Sequence, residues 1–412
     1  MYHFPTIKSN IIMLSKRIRK YIFIIAGLSM FILSCGTSTD FGYKNKATPR
    51  TIPLLVIVAQ YYGKPEVKHP VSYYDDLIYK WLKNPSVNGY FIENSQGRFF
   101  WTRPSQGVIG KVFLPTLVGR DPNDNTRPAH AIRSVMADGF DFDFYDTNND
   151  KKVTKDELAI MIIENYPSGA MRKTQPECLK TSNSSVEVCT EVLLLGDDPS
   201  ISLLCHELSH FLGTNDLYGR WSLDNFNSGC TLMGSNRGGI ASFHLDPWHK
   251  MQLGWIEPKI VLAQSAGQHQ LKSANQTNLN PALILFDPRK GLNEYFILEY
   301  RSPNHRVNDY NYNYDRDVCG EGLAIWHVVQ NNNKELMSIP HIGGVTGAQS
   351  VGLFLEGSPS LIRGGNSLFG SGTTTPLLSW IDGNTTGLSI VVRPFQRGAS
   401  EITIEITNII KH

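Results

Sequence analysis

The pattern of apolar and polar positions changes near Pro258. Before this residue, apolar side chains occur both in continuous runs and at helical spacing, which is typical of a domain that mixes buried strands with amphipathic helices. The run at residues 52–60 carries no charge and is rich in β-branched residues, so it predicts a buried strand. The other patterns predict helices at residues 73–82, 86–93, 129–136 and 245–253, and strands at residues 98–101 and 108–114.

After Pro258, short apolar runs recur between turns that are rich in Gly, Asn and Pro. This pattern is typical of an antiparallel β-rich domain. The runs are ALILF, EYFILEY, LAIWHV, VGLFLE, LSIVV and EITIEI. His327 lies inside one of these predicted strands, so we expect it to pack in the core or at an interface rather than bind a ligand. The chain is therefore predicted to be α+β, with a mixed domain at residues 51–258 and a β-rich domain at residues 259–412.

Composition and charge narrow the class of protein. The 412-residue chain is 41% hydrophobic, which is enough for a sizeable core in one or two domains. Its formal net charge is only +2, which argues against a nucleic-acid or other polyanionic partner.

The N-terminal segment has the pattern of an export signal. Four basic residues at positions 16–20 precede an apolar run at residues 21–33 that is too short to span a membrane comfortably. The run ends in Ile-Leu-Ser-Cys-Gly, which resembles a bacterial lipobox with Cys35 as the lipidated residue. We therefore predict a lipoprotein signal at residues 1–35, a polar tether at residues 36–50, and an exported protein that a lipid at Cys35 anchors to a membrane of the cell envelope. An ordinary signal peptide, which would make the protein extracellular, is the alternative.

Five further cysteines follow, and export would permit disulfides among them. Cys178 and Cys189 bracket a polar loop and could close it. Cys205 and Cys230 each adjoin a candidate functional segment and could also pair. Because five is odd, at least one thiol stays free or pairs elsewhere, and buried free thiols are an equal alternative.

The strongest chemical signal is the H-E-x-x-H pattern formed by His206, Glu207 and His210. Residues four apart lie on the same face of an α-helix, so the two imidazoles can bind one Zn²⁺ ion. Glu207 is adjacent to the first histidine and can act as a general base on a water molecule at the metal. The pattern therefore predicts a catalytic zinc site.

A catalytic zinc site needs a third protein ligand, and Asp216 is the best candidate. In a continuous helix Asp216 would lie about 9 Å along the axis from His210, too far to share the ion. Gly213 can end the helix in a left-handed turn, which would bring Asp216 back to the metal. The alternative ligand, Glu257, precedes a proline that argues against a helix.

A second candidate metal site matches the EF-hand calcium loop over residues 146–157. Its predicted ligands are the side chains of Asp146, Asn148, Asp150 and Glu157 and the backbone carbonyl of Lys152. The sixth position is Lys151 instead of glycine, so this residue must adopt a positive φ at some cost. We expect weak, structural calcium binding. The alternative is a solvated turn before a helix at residues 155–164, with Asp146 or Asp150 only capping that helix.

The segment HELSHFLGTNDLYG resembles the immune-inhibitor-A family of bacterial secreted metalloproteases, whose zinc motif is H-E-x-x-H-x-x-G-x-x-D. Further similar segments follow the expected order from residue 51 to the C-terminus. They include PLLVIVAQ, NGYFIENSQGRF, FDFDFYDTNNDKKVTKDEL, WHKMQLGW, NEYFILEYRS and GLAIWHV. The resemblance implies a zincin or metzincin-like catalytic domain with a Met-turn at Met233. Tyr218 could donate to the oxyanion of the reaction or could pack beneath the site.

These observations predict a zinc-dependent endopeptidase that acts on proteins or peptides at the cell surface or in the envelope. The short tether leaves no room for the inhibitory pro-segment that is usual in the family. A non-catalytic zincin-like binding protein and a zinc amidase acting on small peptides or peptidoglycan are the alternatives.

Overall fold

The computed structural model describes most of the chain after the predicted tether. The described residues are 50–80, 85–115, 126–165, 171–174, 178–180, 186–217, 230–234, 243–275, 281–304, 313–331, 360–362 and 368–408. The predicted signal and tether, with Cys35, lie outside these ranges, as do Tyr218 and the VGLFLE run.

The first half is built on a mostly parallel sheet of six strands. The strands are β1 (Arg50–Tyr61), β2 (Phe99–Thr102), β3 (Ile109–Leu114), β5 (Ala159–Glu164), β6 (Met171–Thr174) and β9 (Glu191–Gly196). Their order is β2-β1-β5-β9-β6, and β3 also pairs with β1. Within this sheet only β6 runs antiparallel to its neighbour. A small sheet beside it contains β4 (Lys152–Val153), β7 (Leu179–Lys180) and β8 (Glu187–Val188).

Strand β1 is buried on both faces because helices cover both sides of the sheet. The helices are α1 (Val71–Tyr79), α2 (Val87–Asn94), α3 (Thr126–Ala137), α4 (Ile201–Phe211) and α5 (Pro247–Gln252). One set of alternate residues of β1, including Leu54 and Val56, packs in a core with α1, α2 and α4. The other set, including Leu55 and Ile57, packs with α3 in a second core. Short 3-10 turns occur at Asp143–Tyr145, Leu232–Gly234 and Pro288–Asn293.

The predicted elements of this half agree with the structure, with one exception. The helix expected at residues 155–164 is wrong, because Ala159–Glu164 forms the central strand β5 and every residue in it is buried. A continuous apolar run fits a strand that is covered on both faces better than it fits an amphipathic helix, which needs a polar side.

The second half contains two sheets that pack on a shared hydrophobic core. The strands are β10 (Lys259–Leu262), β11 (Gly267–Lys272), β12 (Ala282–Phe286), β13 (Glu294–Arg301), β14 (Gly322–Val329), β15 (Ser360–Ile362), β16 (Leu388–Val392) and β17 (Glu401–Asn408). One sheet has the order β10-β12-β13-β14-β15 and the other has the order β11-β17-β16. The pairs of strands are antiparallel, as predicted, except that β10 runs parallel to β12.

The chain thus mixes helices and sheets, consistent with the α+β class. The expected boundary near Pro258 lies between the mostly parallel sheet and the two later sheets. Both halves belong to one compact unit, Tyr43–His412. Among the described residues, no helix has both the length and the apolar character needed to cross a membrane.

Candidate metal centre

Helix α4 carries both predicted histidines on one side. Ser200 caps its N-terminus by accepting a hydrogen bond from the Leu203 amide at 3.2 Å. Apolar residues such as Leu204 and Leu208 bury the opposite side of the helix in the first core. His206 and His210, four residues apart, therefore lie together, and their ring centroids are 5.0 Å apart.

The helix ends where the sequence predicts that it turns back. Gly213 has a φ of +96°, in the left-handed region that favours glycine. Its amide donates to the His210 carbonyl at 2.9 Å, and the Thr214 amide donates to the Ser209 carbonyl at 3.3 Å. This turn is a helix C-cap of the kind that glycine makes possible.

The reversal brings Asp216 back to the two histidines. Its Oδ1 lies 3.1 Å from Nε2 of His206 and 3.3 Å from Nε2 of His210. Two ligands that each lie 2.0–2.1 Å from a tetrahedral zinc ion are about 3.3 Å apart. The two separations from Asp216 are therefore close to those between ligands of one zinc ion, and all three ligand atoms lie within 4.8 Å of one another. Within the described ranges, Asp216 belongs to this cluster and Glu257, which is exposed, does not.

Backbone carbonyls set the orientation of both imidazole rings. Nδ1 of His206 lies 3.1 Å from the Leu232 carbonyl, and Nδ1 of His210 lies 2.9 Å from the Thr214 carbonyl. A carbonyl can only accept, so each Nδ1 carries a proton, and Nε2 is the ring nitrogen that faces Asp216. Histidine ligands of metal sites are commonly oriented by such a bond from the other ring nitrogen.

The charges of the cluster favour an anionic Asp216. Burial raises the pKa of this carboxyl, but its hydrogen bonds with His206 and His210 outweigh burial and hold the pKa well below the ordinary value. For His210, burial lowers the pKa, whereas the hydrogen bond and charge of Asp216 raise it above the ordinary value. Asp216 and His210 therefore stabilise each other's charged forms, and a divalent cation would satisfy the same carboxylate.

Glu207 is half-buried, whereas His206 is fully buried. The charge of Glu207 is one of the causes that raise the pKa of His210, so this carboxylate lies near the His210 imidazole. Asp216 is the most exposed member of the cluster, with 41% of its side chain accessible. The centre is thus closed on the helix side and open on the side of Asp216.

The Leu232–Gly234 turn packs against this centre. Met233 is fully buried, and its carbonyl accepts the Leu217 amide at 2.8 Å. Its sulfur lies 3.6 Å from the Thr214 hydroxyl. The predicted Met-turn methionine therefore contacts both ends of the 214–217 segment that carries Asp216.

A buried polar network holds the same turn from the other side. The His244 carbonyl accepts the Leu232 amide at 3.1 Å. The His244 ring lies between Glu93 (Oε1 to Nε2, 2.7 Å) and the ammonium group of Lys250 (Nζ to Nδ1, 3.0 Å). Burial raises the pKa of Glu93 to about 8 and lowers the pKa of Lys250 to about 8.

The predicted calcium loop has the positive φ that the sequence pattern requires at its sixth position. Lys151 has a φ of +66°, so the positive φ expected at the sixth position is confirmed. Asp146 accepts the amides of Asp150 and Lys151 at 3.1 and 3.0 Å. The Asn148 side chain accepts the Asp150 amide at 2.9 Å. These bonds direct side-chain oxygens of the first and third positions at amides of the loop, and the Asp150 carboxylate at the fifth position accepts the Lys152 amide at 2.8 Å.

Glu157 closes the loop with both carboxylate oxygens. Oε1 accepts the Thr147 amide at 3.1 Å, and Oε2 accepts the Thr154 amide at 3.0 Å. Lys152 lies in the short strand β4, where the carbonyls of its two neighbours accept amides from the β8 segment. Because carbonyls alternate along a strand, that of Lys152 points to the other side, as a ligand at the seventh position requires.

The predicted cysteine pairing is half correct. Cys178 and Cys189 form the expected disulfide. The pair Cys205–Cys230 is wrong, because Cys230 bonds to Cys319 and Cys205 is a buried thiol whose pKa burial raises. The sulfurs of Cys178 and Cys189 are bonded to each other and so cannot serve as thiolate ligands beside Glu187.

His327 is packed as the sequence predicts. It is 7% exposed, stacks on Phe296, and its Nε2 lies 2.8 Å from Oε1 of Glu294.

Sequence analysis predicted no role for His249, which lies beside the candidate centre. Its Nε2 accepts a hydrogen bond from the Asn215 amide at 3.2 Å. The Asp-Pro start of its helix was the only sequence signal near it.

Comparison of the chain with known proteins found no matching family model and no matching curated protein.

Proposed function

We propose that this protein is a zinc-dependent endopeptidase. The observation that carries the proposal is the convergence of two Nε2 atoms and one carboxylate oxygen at tetrahedral spacing. His206, His210 and Asp216 are the zinc ligands, and a backbone carbonyl holds each imidazole through Nδ1 so that Nε2 faces the centre. The bound ion supplies a Lewis acid that polarises a carbonyl and lowers the pKa of water.

Glu207 is the general base. Its carboxylate follows a ligand on the same helix and is half-buried, so it can face a water molecule on the open side of the centre. It takes the proton of the attacking water and passes it to the leaving amine of the cleaved peptide bond. The backbone of α4 fixes this carboxylate relative to both histidines.

The resemblance of the sequence to immune-inhibitor-A proteases supports a zincin or metzincin-like catalytic domain. In this assignment Met233 is the methionine of the Met-turn, and its buried contact with the 214–217 segment is consistent with that role. Tyr218 remains a candidate donor to the oxyanion of the reaction.

Calcium is a second, structural metal in this proposal. The side chains of Asp146, Asn148, Asp150 and Glu157 and the carbonyl of Lys152 are its ligands. The preformed turn at positive φ supports this assignment, because the strained residue already has the backbone that calcium binding needs. Two adjacent lysines reduce the negative charge of the loop, so binding is weak and suits an environment with millimolar calcium.

The proposed location follows from the N-terminal pattern. A lipid at Cys35 anchors the exported enzyme to a membrane of the cell envelope, and the tether at residues 36–50 separates it from the bilayer. Its partners are protein or peptide substrates. The two disulfides are consistent with an oxidising compartment.

Hydrolysis assays test the activity. Wild type should cleave casein and unstructured peptides. Glu207→Gln should lose at least about 100-fold in kcat and keep its zinc, since Glu207 is not a ligand. Glu401→Gln, an exposed change in β17, is the matched control and should retain full activity. A zinc-loaded wild type that cleaves neither would favour a binding protein, and cleavage confined to short or cell-wall peptides would favour an amidase.

A further inference from the structure

The first turn of α5 carries a buried carboxylate–imidazole pair. Asp246 caps the helix by accepting the His249 amide at 3.0 Å, and its Oδ2 lies 2.7 Å from Nδ1 of His249. The two residues are 0% and 1% exposed. Because the carboxylate accepts the Nδ1 proton, Nε2 of His249 is left as an acceptor.

This acceptor holds the backbone beside the third ligand of the proposed zinc site. Nε2 of His249 receives the amide of Asn215, the residue that precedes Asp216, at 3.2 Å. On the other side of Asp216, the Leu217 amide donates to the Met233 carbonyl. The peptide units on both sides of the exposed carboxylate are therefore fixed by buried groups.

The same carboxylate also holds the Leu232–Gly234 turn. The Thr231 hydroxyl lies 3.3 Å from Oδ2 of Asp246 and accepts the Asp246 amide at 3.1 Å. The carbonyl of Leu232, the next residue, orients the ring of His206. Asp246 thus connects the segment that orients one ligand with the segment that carries another.

We propose that the Asp246–His249 pair is a positioning unit that presets Asp216 for the metal through the Asn215 amide. Asp216 lies on a loop and is exposed, so the Asn215 bond, together with the bond from the Leu217 amide to Met233, limits movement of its backbone away from the histidines. Preorganised side-chain ligands bind a metal ion more tightly, because the entropy cost of ordering them has already been met in the metal-free protein. Loss of such outer partners typically weakens metal binding about 10–100-fold. The ring acts as an acceptor and is not a ligand, because its Nε2 is directed at an N–H group.

The test compares zinc affinity and amide exchange in the full protein. His249→Phe keeps a ring but removes the acceptor, and His249→Gln retains an oxygen acceptor. We expect His249→Phe to raise the zinc dissociation constant about 10–100-fold and His249→Gln to recover part of the loss. In metal-free protein, the Asn215 amide should exchange at least about 10-fold faster in His249→Phe. The amides of α4 should keep their protection.

His327→Phe is the matched control. It removes a buried histidine that also pairs with a carboxylate, but in the β-rich half. It should leave the zinc affinity and the exchange rate of the Asn215 amide unchanged. This control therefore separates the positioning effect of His249 from the general effect of losing a buried imidazole–carboxylate contact.

The identity of the metal rests on the proposed function, but the exchange measurement does not. A wild type that binds no zinc would overturn the proposed function, while faster Asn215 exchange in His249→Phe would still support the positioning role. Unchanged exchange and unchanged zinc affinity in folded His249→Phe would overturn the inference. If that variant does not fold, Asp246→Asn provides the same two measurements. Wild-type values in both would likewise overturn it.

Discussion

Lys155 links the proposed calcium loop to helix α4, which carries two of the proposed zinc ligands. Its ammonium group donates to the carbonyl of Phe211, the last residue of α4, at 2.9 Å. The last four carbonyls of a helix have no amide partner within the helix, and a cation there also interacts favourably with the helix dipole. Lys155 is the tenth residue of the 146–157 loop, and Phe211 follows His210 directly.

We predict that Lys155→Met destabilises the protein by about 2 kcal/mol. A hydrogen bond to a charged group contributes about 1.5–3 kcal/mol, and the helix-dipole interaction adds about 0.3–1 kcal/mol. Lys155 is half-buried, which places the sum near the lower end of this range. Methionine preserves the length of the side chain, so little packing is lost.

Urea denaturation in calcium-containing buffer measures this change. The control is Lys259→Met, which removes one positive charge from an exposed position of β10 and should change stability by less than about 0.5 kcal/mol. Zinc affinity should fall modestly in Lys155→Met, because the last turn of α4 carries His210. If Lys155→Met and Lys259→Met unfold at the same urea concentration, the capping bond contributes nothing and the reasoning is refuted.

Three further predictions concern other parts of the structure. Millimolar calcium should raise the melting temperature of wild type but not of Asp146→Ala, since only the native loop binds the ion; an equal response would leave the loop a simple turn. Replacing both Cys230 and Cys319 by serine should cost about 4–5 kcal/mol, because their disulfide links residues 89 apart in sequence. A denaturant midpoint equal to that of wild type would refute this estimate. The folded pKa of Glu93, about 8, lies above its unfolded value, so its contribution to stability is present at low pH and lost as the pH rises from about 5 to 8. The difference in unfolding free energy between wild type and Glu93→Gln should therefore fall by up to about 1.4 kcal/mol per pH unit in this window. A difference that stays constant from pH 5 to 8 would contradict this prediction.

The parts of the site that sequence analysis predicted are those that local geometry determines. Histidines four apart share a helix face, and Gly213 permits the left-handed turn that returns Asp216. The positive φ of Lys151 likewise follows from its position in the loop pattern. Each of these depends on at most a dozen neighbouring residues.

The parts that sequence analysis missed depend on contacts between distant segments. Cys230 pairs with Cys319 because the fold brings a loop of the second half against the Leu232–Gly234 turn. The bond from the Asn215 amide to His249 joins residues 34 apart and has no periodic pattern. Strand β5 was ambiguous because a short apolar run has no polar face to indicate its period, and its burial inside a parallel sheet decides the outcome.

X-ray absorption at the zinc edge of the purified, fully loaded protein tests the central claim most directly. The account predicts one zinc ion per chain, bound by two imidazole nitrogens and by oxygen, with no sulfur in the coordination shell. Asp216→Ala should lose most of the metal under the same conditions, and Glu207→Gln should retain it with an unchanged spectrum. Sulfur coordination, or full zinc occupancy in Asp216→Ala, would contradict the assignment of His206, His210 and Asp216 as the metal centre.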